Sequence, residues 1–283
     1  MASNREPVTV IFSDLDGTLL DPDQTWTPAR PALALCRRLG VELVLVSSKT
    51  WAEMEPLHRR LGLSSPFVCE NGGGVYFPAG AGQPPAGARR AGAWWRLALG
   101  RPYVQVVAGL RRLRRRLGWR LLGFSDLTPT GVAALTGLSP GVARRAALRE
   151  FDEPFTLLDP DQDALDLAEL ERLEREADDE GLVLVEGGRF LHLHAGPGKG
   201  AALELVLAWL RQQRGVGRSM GLGDAPNDFD LLSRVDLPVL VASAKAGAGA
   251  EPGLPNLRRT KAPGAAGFNE AVLAALESGR DKR

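Results

Sequence analysis

Asp14 and Asp16 stand two apart in the string Asp14-Leu15-Asp16-Gly17-Thr18-Leu19-Leu20, directly after the apolar run Val8–Phe12. On extended backbone, residues two apart share a face, so both carboxylates are expected to point the same way. There they repel unless a cation or a proton comes between them. A second acidic pair, Asp224 and Asp228, follows the run Ser219–Leu222, with Gly223 before it and Asn227 inside it. Four carboxylates at two strand ends call for a divalent ion. Oxygen donors with no cysteine or histidine beside them suit a hard one, so Mg²⁺ is the expected cofactor. Ser47 ends another apolar run, Val41–Val46; its hydroxyl and the following N–H groups can cradle an anion. Lys199 opens a stretch of helical period, where a cation opposes the helix dipole. An anion bound at that end would resolve the conflict.

The elements that must position these groups alternate. Val8–Phe12, Val41–Val46 and Phe67–Cys69 read as buried strands. Between them lie a helix opened by Thr27-Pro28 and a second over Trp51–Leu61. Strand–helix–strand–helix–strand predicts a parallel sheet covered on both faces, with ligands outside the carboxyl ends of its strands. Pro78–Ala93 then breaks the pattern as a Gly/Pro/Ala stretch without period. Beyond it, helices over Tyr103–Leu117, from Ser139-Pro140 to about Glu150, and over Asp163–Asp179 alternate with strands at Phe155–Leu158, Leu182–Glu186 and Arg189–His194. The first pattern resumes at Gly198, with a helix over Lys199–Gln213, strands at Ser219–Leu222 and Leu237–Val241, and a last helix over Gly267–Leu276. The expected fold is α/β: a doubly wound, Rossmann-like parallel sheet with an inserted α+β unit. The core is expected over residues 1–84 and 192–283, and the insertion over 85–191.

At 283 residues the chain suits about two domains. Its 35 basic and 34 acidic residues leave a net charge of +1, with no global pull toward nucleic acid or an anionic membrane. In Arg111-Arg112-Leu113-Arg114-Arg115-Arg116 the leucine belongs to the apolar stripe and the arginines lie off it, the pattern of a solvated helix face. Two cysteines cannot build a disulfide framework. No signal peptide or membrane span is evident, so a cytoplasmic location is expected.

In this order, Asp-x-Asp-Gly-Thr, a serine at a strand end, a lysine and Gly-Asp-x-x-Asn-Asp resemble the four motifs of the haloacid dehalogenase superfamily of phosphotransferases. The insertion between the second and third resembles the large α/β cap of its sugar-phosphatase branch. Ser47-Ser48-Lys49-Thr50, Glu70-Asn71-Gly72-Gly73-Gly74, Arg149-Glu150-Phe151-Asp152-Glu153 and Gly187-Gly188-Arg189-Phe190 are similar to the mannosyl-3-phosphoglycerate phosphatases. The likeness spans nearly the whole chain outside the leader, Pro78–Ala93 and Ala244–Asn256.

This resemblance implies a phosphatase acting on a phosphorylated sugar, mannosyl- or glucosyl-3-phosphoglycerate, through an aspartyl-phosphate. Asp14 would be the nucleophile and Asp16 the general acid, then base. Ser47 and Lys199 would hold the transferring phosphoryl group. Asp14 and Asp224 would ligate Mg²⁺ by side chain and Asp16 by its carbonyl, with Asp228 behind them and Asn227 fixing the loop. For the rest of the substrate, Arg149, Arg189 and His192 are candidates for the carboxylate, and Glu150 and Glu153 for sugar hydroxyls. Ser48, Lys49, Glu70, Asn71 and Gly72 are expected at the cleft. Another sugar-phosphate phosphatase, a phosphohexomutase and an inactive sugar-phosphate-binding regulator remain alternatives.

Overall fold

The computed structural model describes residues 8–158, 165–243 and 253–277. The leader 1–7, the expected helix start at Asp163 and the loop 244–252 lie outside the described residues. In chain order the strands are β1 (Val8–Ser13), β2 (Glu42–Val46), β3 (Phe67–Cys69), β4 (Gly74–Pro78), β5 (Arg89–Ala91), β6 (Trp94–Ala98), β7 (Leu121–Gly123), β8 (Asp152–Leu157), β9 (Val183–Glu186), β10 (Leu191–His194), β11 (Arg218–Gly223), β12 (Leu237–Ala242) and β13 (Arg258–Pro263).

The larger sheet runs β13-β12-β11-β1-β2-β3-β4-β6-β5. From β13 to β3 every pair is parallel, and β4, β6 and β5 extend it antiparallel. Both faces are covered, which is why these strands are apolar almost throughout. Ile11 of β1 packs on one side with Leu33 and Leu35 of the helix Arg30–Leu39 and with Phe268 and Val272 of the helix Gly264–Glu277. Val10 and Phe12 pack on the other with Leu203, Val206, Leu207 and Leu210 of the helix Gly198–Arg214. The strand order turns back at β1, between β2 and β11, and so opens a cleft at their carboxyl ends.

A second sheet, β7-β8-β10-β9, is antiparallel throughout. Phe155 and Leu193 face a small core with Val106, Leu110 and Leu113 of the helix Tyr103–Leu117 and Leu173 and Ala177 of the helix Leu167–Asp179. Strand alternation turns Asp152, His192 and His194 to the opposite face. Strand β9 lies against the turn Pro226–Asp228, so this unit is a cap over the larger sheet. Arginines of the run 111–116 pair within it: Arg114 with Asp126, Arg112 with Glu180, and Arg116 with Glu176, Asp179 and Glu180.

The sheets divide the chain differently from the expected boundaries. Residues 89–98, expected in the insertion, pair as β5 and β6 with the large sheet, because Trp94–Ala98 aligns along the free edge of β4. Residues 192–194, expected in the core, belong to β10 of the cap sheet. The connections between the units cross at Gly73, whose carbonyl accepts the N–H groups of Leu99 and Gly100, and at Ala195, whose carbonyl accepts that of Arg101.

Candidate active site

β1 ends at Ser13, and the chain turns before either acidic residue of the first pair can continue the strand. The two carboxylates differ in burial and in partners. Asp14 is buried and receives Lys199 Nζ at 2.7 Å. Asp16 is exposed, and its carboxylate takes Gln24 Nε2 at 2.8 Å on Oδ1 and Lys49 Nζ at 2.7 Å on Oδ2.

Lys199 is the second residue of the helix Gly198–Arg214 and is buried there. Its Nζ also meets Asp228 Oδ1 at 2.6 Å. The other oxygen of Asp228 accepts the N–H groups of Asp224 and Ala225 and ties down the loop after β11. Asp224 approaches from that loop and accepts Thr18 Oγ1–H at 3.2 Å. Gly17, at φ +87°, allows this approach: a Cβ there would fall 2.3 Å from Asp224 Oδ2. Gly72, at φ +94°, does the same for Lys199, because its Cβ would meet the Gly198 carbonyl oxygen at 2.1 Å.

The carboxylates of Asp14, Asp224 and Asp228 each offer an oxygen within 4.8 Å of the others. Burial, then Asp228, pushes the Asp14 carboxyl well above its ordinary range even with Lys199 beside it. The same two causes push Asp224 up to about 6. Burial works against the Lys199 ammonium, yet Asp14 and Asp228 hold its pKa above the usual value. One ammonium among three carboxylates leaves negative charge uncompensated in a poorly solvated place. Asn227 adds a buried carbonyl oxygen, Oδ1, with no hydrogen-bond partner among the described residues. An all-oxygen, anionic donor set of this kind fits a hard divalent cation.

Ser47 is buried at the end of β2, where its Oγ accepts the Lys49 N–H at 3.2 Å. Its backbone carbonyl accepts the Asn71 N–H at 3.1 Å, which brings the loop after β3 to the site. Glu70 and Asn71 both hold positive φ, 49° and 52°. In this bend Glu70, 1% exposed, accepts the backbone N–H groups of Glu150, Phe151 and Asp152, and so grips the start of β8.

Several residues expected to read the substrate have other partners. Arg149 is buried, and its guanidinium donates to the carbonyls of Ser48 and Asp152 and to the Asp152 carboxylate, with Glu70 at 3.7 Å. Glu153 is buried within the cap, accepting Tyr103 Oη–H and the Ser125 N–H. Glu150 pairs with Arg96 and Tyr76. Arg189 donates to the carbonyls of Leu135 and Thr136 at the end of the helix Pro129–Thr136. His192 stays on the core-facing side of the cap sheet, with Nδ1 2.8 Å from Asp152 Oδ1.

Two residues of this region escaped the sequence reading. Asp152 is fully buried and joins Arg149, His192 and, through a 2.8 Å bond, Asn71 Nδ2. Burial works against its charge, but His192 and Arg149 hold its carboxyl well below the usual range. Asn71 Oδ1 in turn accepts from Asn227 at 3.4 Å, linking the cap to the Asp224–Asp228 loop. The second residue is Gln24, whose only sequence signal is a polar turn eight residues beyond Asp16.

Residues 11–81 match the family model of haloacid dehalogenase-like hydrolases. The chain is 34% identical over 270 residues to a glucosyl-3-phosphoglycerate/mannosyl-3-phosphoglycerate phosphatase of Persephonella marina, covering 94% of this chain and 97% of that one. A protein of the same name from Methanococcoides burtonii is 32% identical over 93% of this chain and 96% of its own. The chain belongs to the glucosyl-3-phosphoglycerate/mannosyl-3-phosphoglycerate phosphatase family. Its fold is shared with the sucrose-phosphatase of Synechocystis, solved with sucrose and phosphate (TM-score 0.61, 15% identity, 96% of this chain and 99% of that one). A Thermoplasma acidophilum protein has it too (TM-score 0.62, 17% identity, 96% and 99% covered). Among the described residues no helix is long and apolar enough to cross a membrane.

Proposed function

We propose that this chain is a Mg²⁺-dependent phosphatase that hydrolyses mannosyl-3-phosphoglycerate, and glucosyl-3-phosphoglycerate as well, to the glycosylglycerate and phosphate. The observation that carries the reading is Asp14: a buried carboxylate at the strand-order switch, 2.7 Å from Lys199 Nζ and beside Asp224 and Asp228. Family membership of the chain supports the ester class, since the relatives carry the name of that phosphatase.

In this reading an Asp14 oxygen bonds to phosphorus as the bond to the glycerate oxygen breaks. That oxygen keeps the electron pair and takes a proton from Asp16. Water then attacks the aspartyl-phosphate, gives its proton to Asp16, and returns the bonding pair to Asp14. Lys199 and Ser47, with the N–H groups after β2, counter the charge on the phosphoryl oxygens. Asp14 and Asp224, with the Asp16 carbonyl, would hold Mg²⁺, which would supply charge neutralisation for the incoming phosphate. Asp228 keeps Lys199 and the loop in place. Within the cap, His192 is the remaining cleft-side candidate for the substrate carboxylate. Phosphate release over a panel of sugar phosphates, with and without Mg²⁺, tests this. The glycosyl-3-phosphoglycerates should exceed hexose phosphates and sucrose phosphate in kcat/KM. A hexose phosphate turned over fastest would overturn the substrate class.

A further inference from the structure

Asp16 sits on a turn beyond the end of β1, and its side chain is 47% exposed. A carboxylate so placed is free to rotate, and proton transfer to an ester oxygen needs it aligned. Two donors from separate segments remove that freedom. Lys49 reaches Oδ2 from the loop after β2, and Gln24 reaches Oδ1 from the turn Asp21–Thr25. Each carboxylate oxygen has two lone pairs, so neither bond prevents an oxygen from passing a proton.

The backbone of Gln24 is the second observation. It stands at φ 62°, in the left-handed region that glycine and asparagine occupy most easily. The turn is built around that conformation. Gln24 N–H donates to the Asp21 carbonyl at 2.8 Å, Asp21 N–H to the Thr25 carbonyl at 2.9 Å, and Thr25 N–H to Asp23 Oδ1 at 3.1 Å. Asp21 is itself anchored, accepting the Ala265 N–H at 3.0 Å. A long side chain at a position that glycine would fill with less strain has a use, and here it ends on Asp16.

We propose that Gln24 is a positioning residue, which together with Lys49 fixes the Asp16 carboxylate for proton exchange with the ester oxygen. This rests on the reading of Asp16 as general acid given above. The exchange is the one already written: the departing glycerate oxygen keeps the bonding pair and takes the Asp16 proton, and water later returns a proton to Asp16.

The test compares two esters by kcat/KM, which reports the steps up to formation of the aspartyl-phosphate. Mannosyl-3-phosphoglycerate has an alkoxide leaving group that needs a proton; p-nitrophenyl phosphate has one that does not. Gln24→Met and Gln24→Gly should each lower kcat/KM about 10-fold on the first ester, part of the 10²- to 10⁴-fold that acid–base groups supply, and less than about 2-fold on the second. Gln24→Gly, which relaxes the backbone, should melt no lower than wild type. Equal losses on both esters, or no loss on either, would overturn the proposal. Asp16→Asn serves as the reference. If it too lacks the ester selectivity, the reading of Asp16 falls and the proposal with it. If it shows the selectivity and the Gln24 variants do not, only the proposal falls.

Discussion

Arg149→Ala separates the two roles this residue can have. In the structure its guanidinium is buried against Asp152 and near Glu70, and it also donates to the Ser48 carbonyl. Removing one partner of a buried ion pair costs about 3–5 kcal/mol, because the other charge stays buried. The lower end applies here. Glu70 keeps three backbone N–H donors, and Asp152 keeps His192 and Asn71. About 3 kcal/mol corresponds to a fall in Tm of roughly 6–12 °C, at about 2–4 °C per kcal/mol for a chain near this size. Asp152 also holds Asn71, which receives Asn227 from the metal-side loop. The variant should therefore lose kcat/KM to a similar degree on mannosyl-3-phosphoglycerate and on p-nitrophenyl phosphate. Differential scanning calorimetry and the two-ester assay read both effects. An unchanged Tm with loss confined to the sugar ester would show that Arg149 meets the substrate, and would refute its assignment as a strut.

Asp14→Asn should abolish turnover of every ester, since an amide does not attack phosphorus, while the protein stays folded; steady-state activity above about one-hundredth of wild type would remove Asp14 as nucleophile. The raised carboxyls of Asp14 and Asp224 must lose protons before a cation can bind. The rise in Tm produced by Mg²⁺ should therefore grow from pH 5 to pH 7.5, reaching about 2.7 kcal/mol of stabilisation at 100 times Kd; a rise independent of pH would contradict the crowded-carboxylate picture. Asp152, held below its unfolded value of about 3.9, contributes stability that is complete above that pH and is lost as pH falls through the folded value. The gap in urea midpoint between wild type and Asp152→Asn should accordingly narrow below about pH 4, and a constant gap would count against the depressed carboxyl.

The parts of the fold that could be read in the sequence are those with local causes. β1, β2 and β3 are short apolar runs because both faces of the sheet are covered, and each ends in polar residues because the cleft begins there. β6 and the edge strand β5 could not be read. Arg89–Ala91 is largely exposed and Trp94–Ala98 mixes tryptophan with arginine; what makes them strands is the free edge of β4 for β6, and that of β6 for β5. Nothing in the Asp14–Leu20 string reveals that Gly17 bends the chain to admit Asp224, a residue of a distant loop. Arg149 looked like a carboxylate reader because nothing in the sequence tells that Asp152, three residues on, and the Ser48 carbonyl, 101 residues away, take its guanidinium.

The buried charges fall into two groups with different consequences. Around Asp14 the carboxylates outnumber the ammonium, so the site holds repulsion that a bound cation would relieve. Around Asp152 the balance is met by protein groups alone: Arg149, His192 and Asn71 saturate it, and Glu70 is saturated by backbone N–H groups. This network holds elements together, here the loop after β3 against the start of β8. In the proposed reaction the chemistry falls to the cluster around Asp14. In the proposed reaction, the face of the cap sheet that carries His192 and His194 is left for the rest of the substrate. Asp152, on that same face, ties it through Asn71 to the loop after β3.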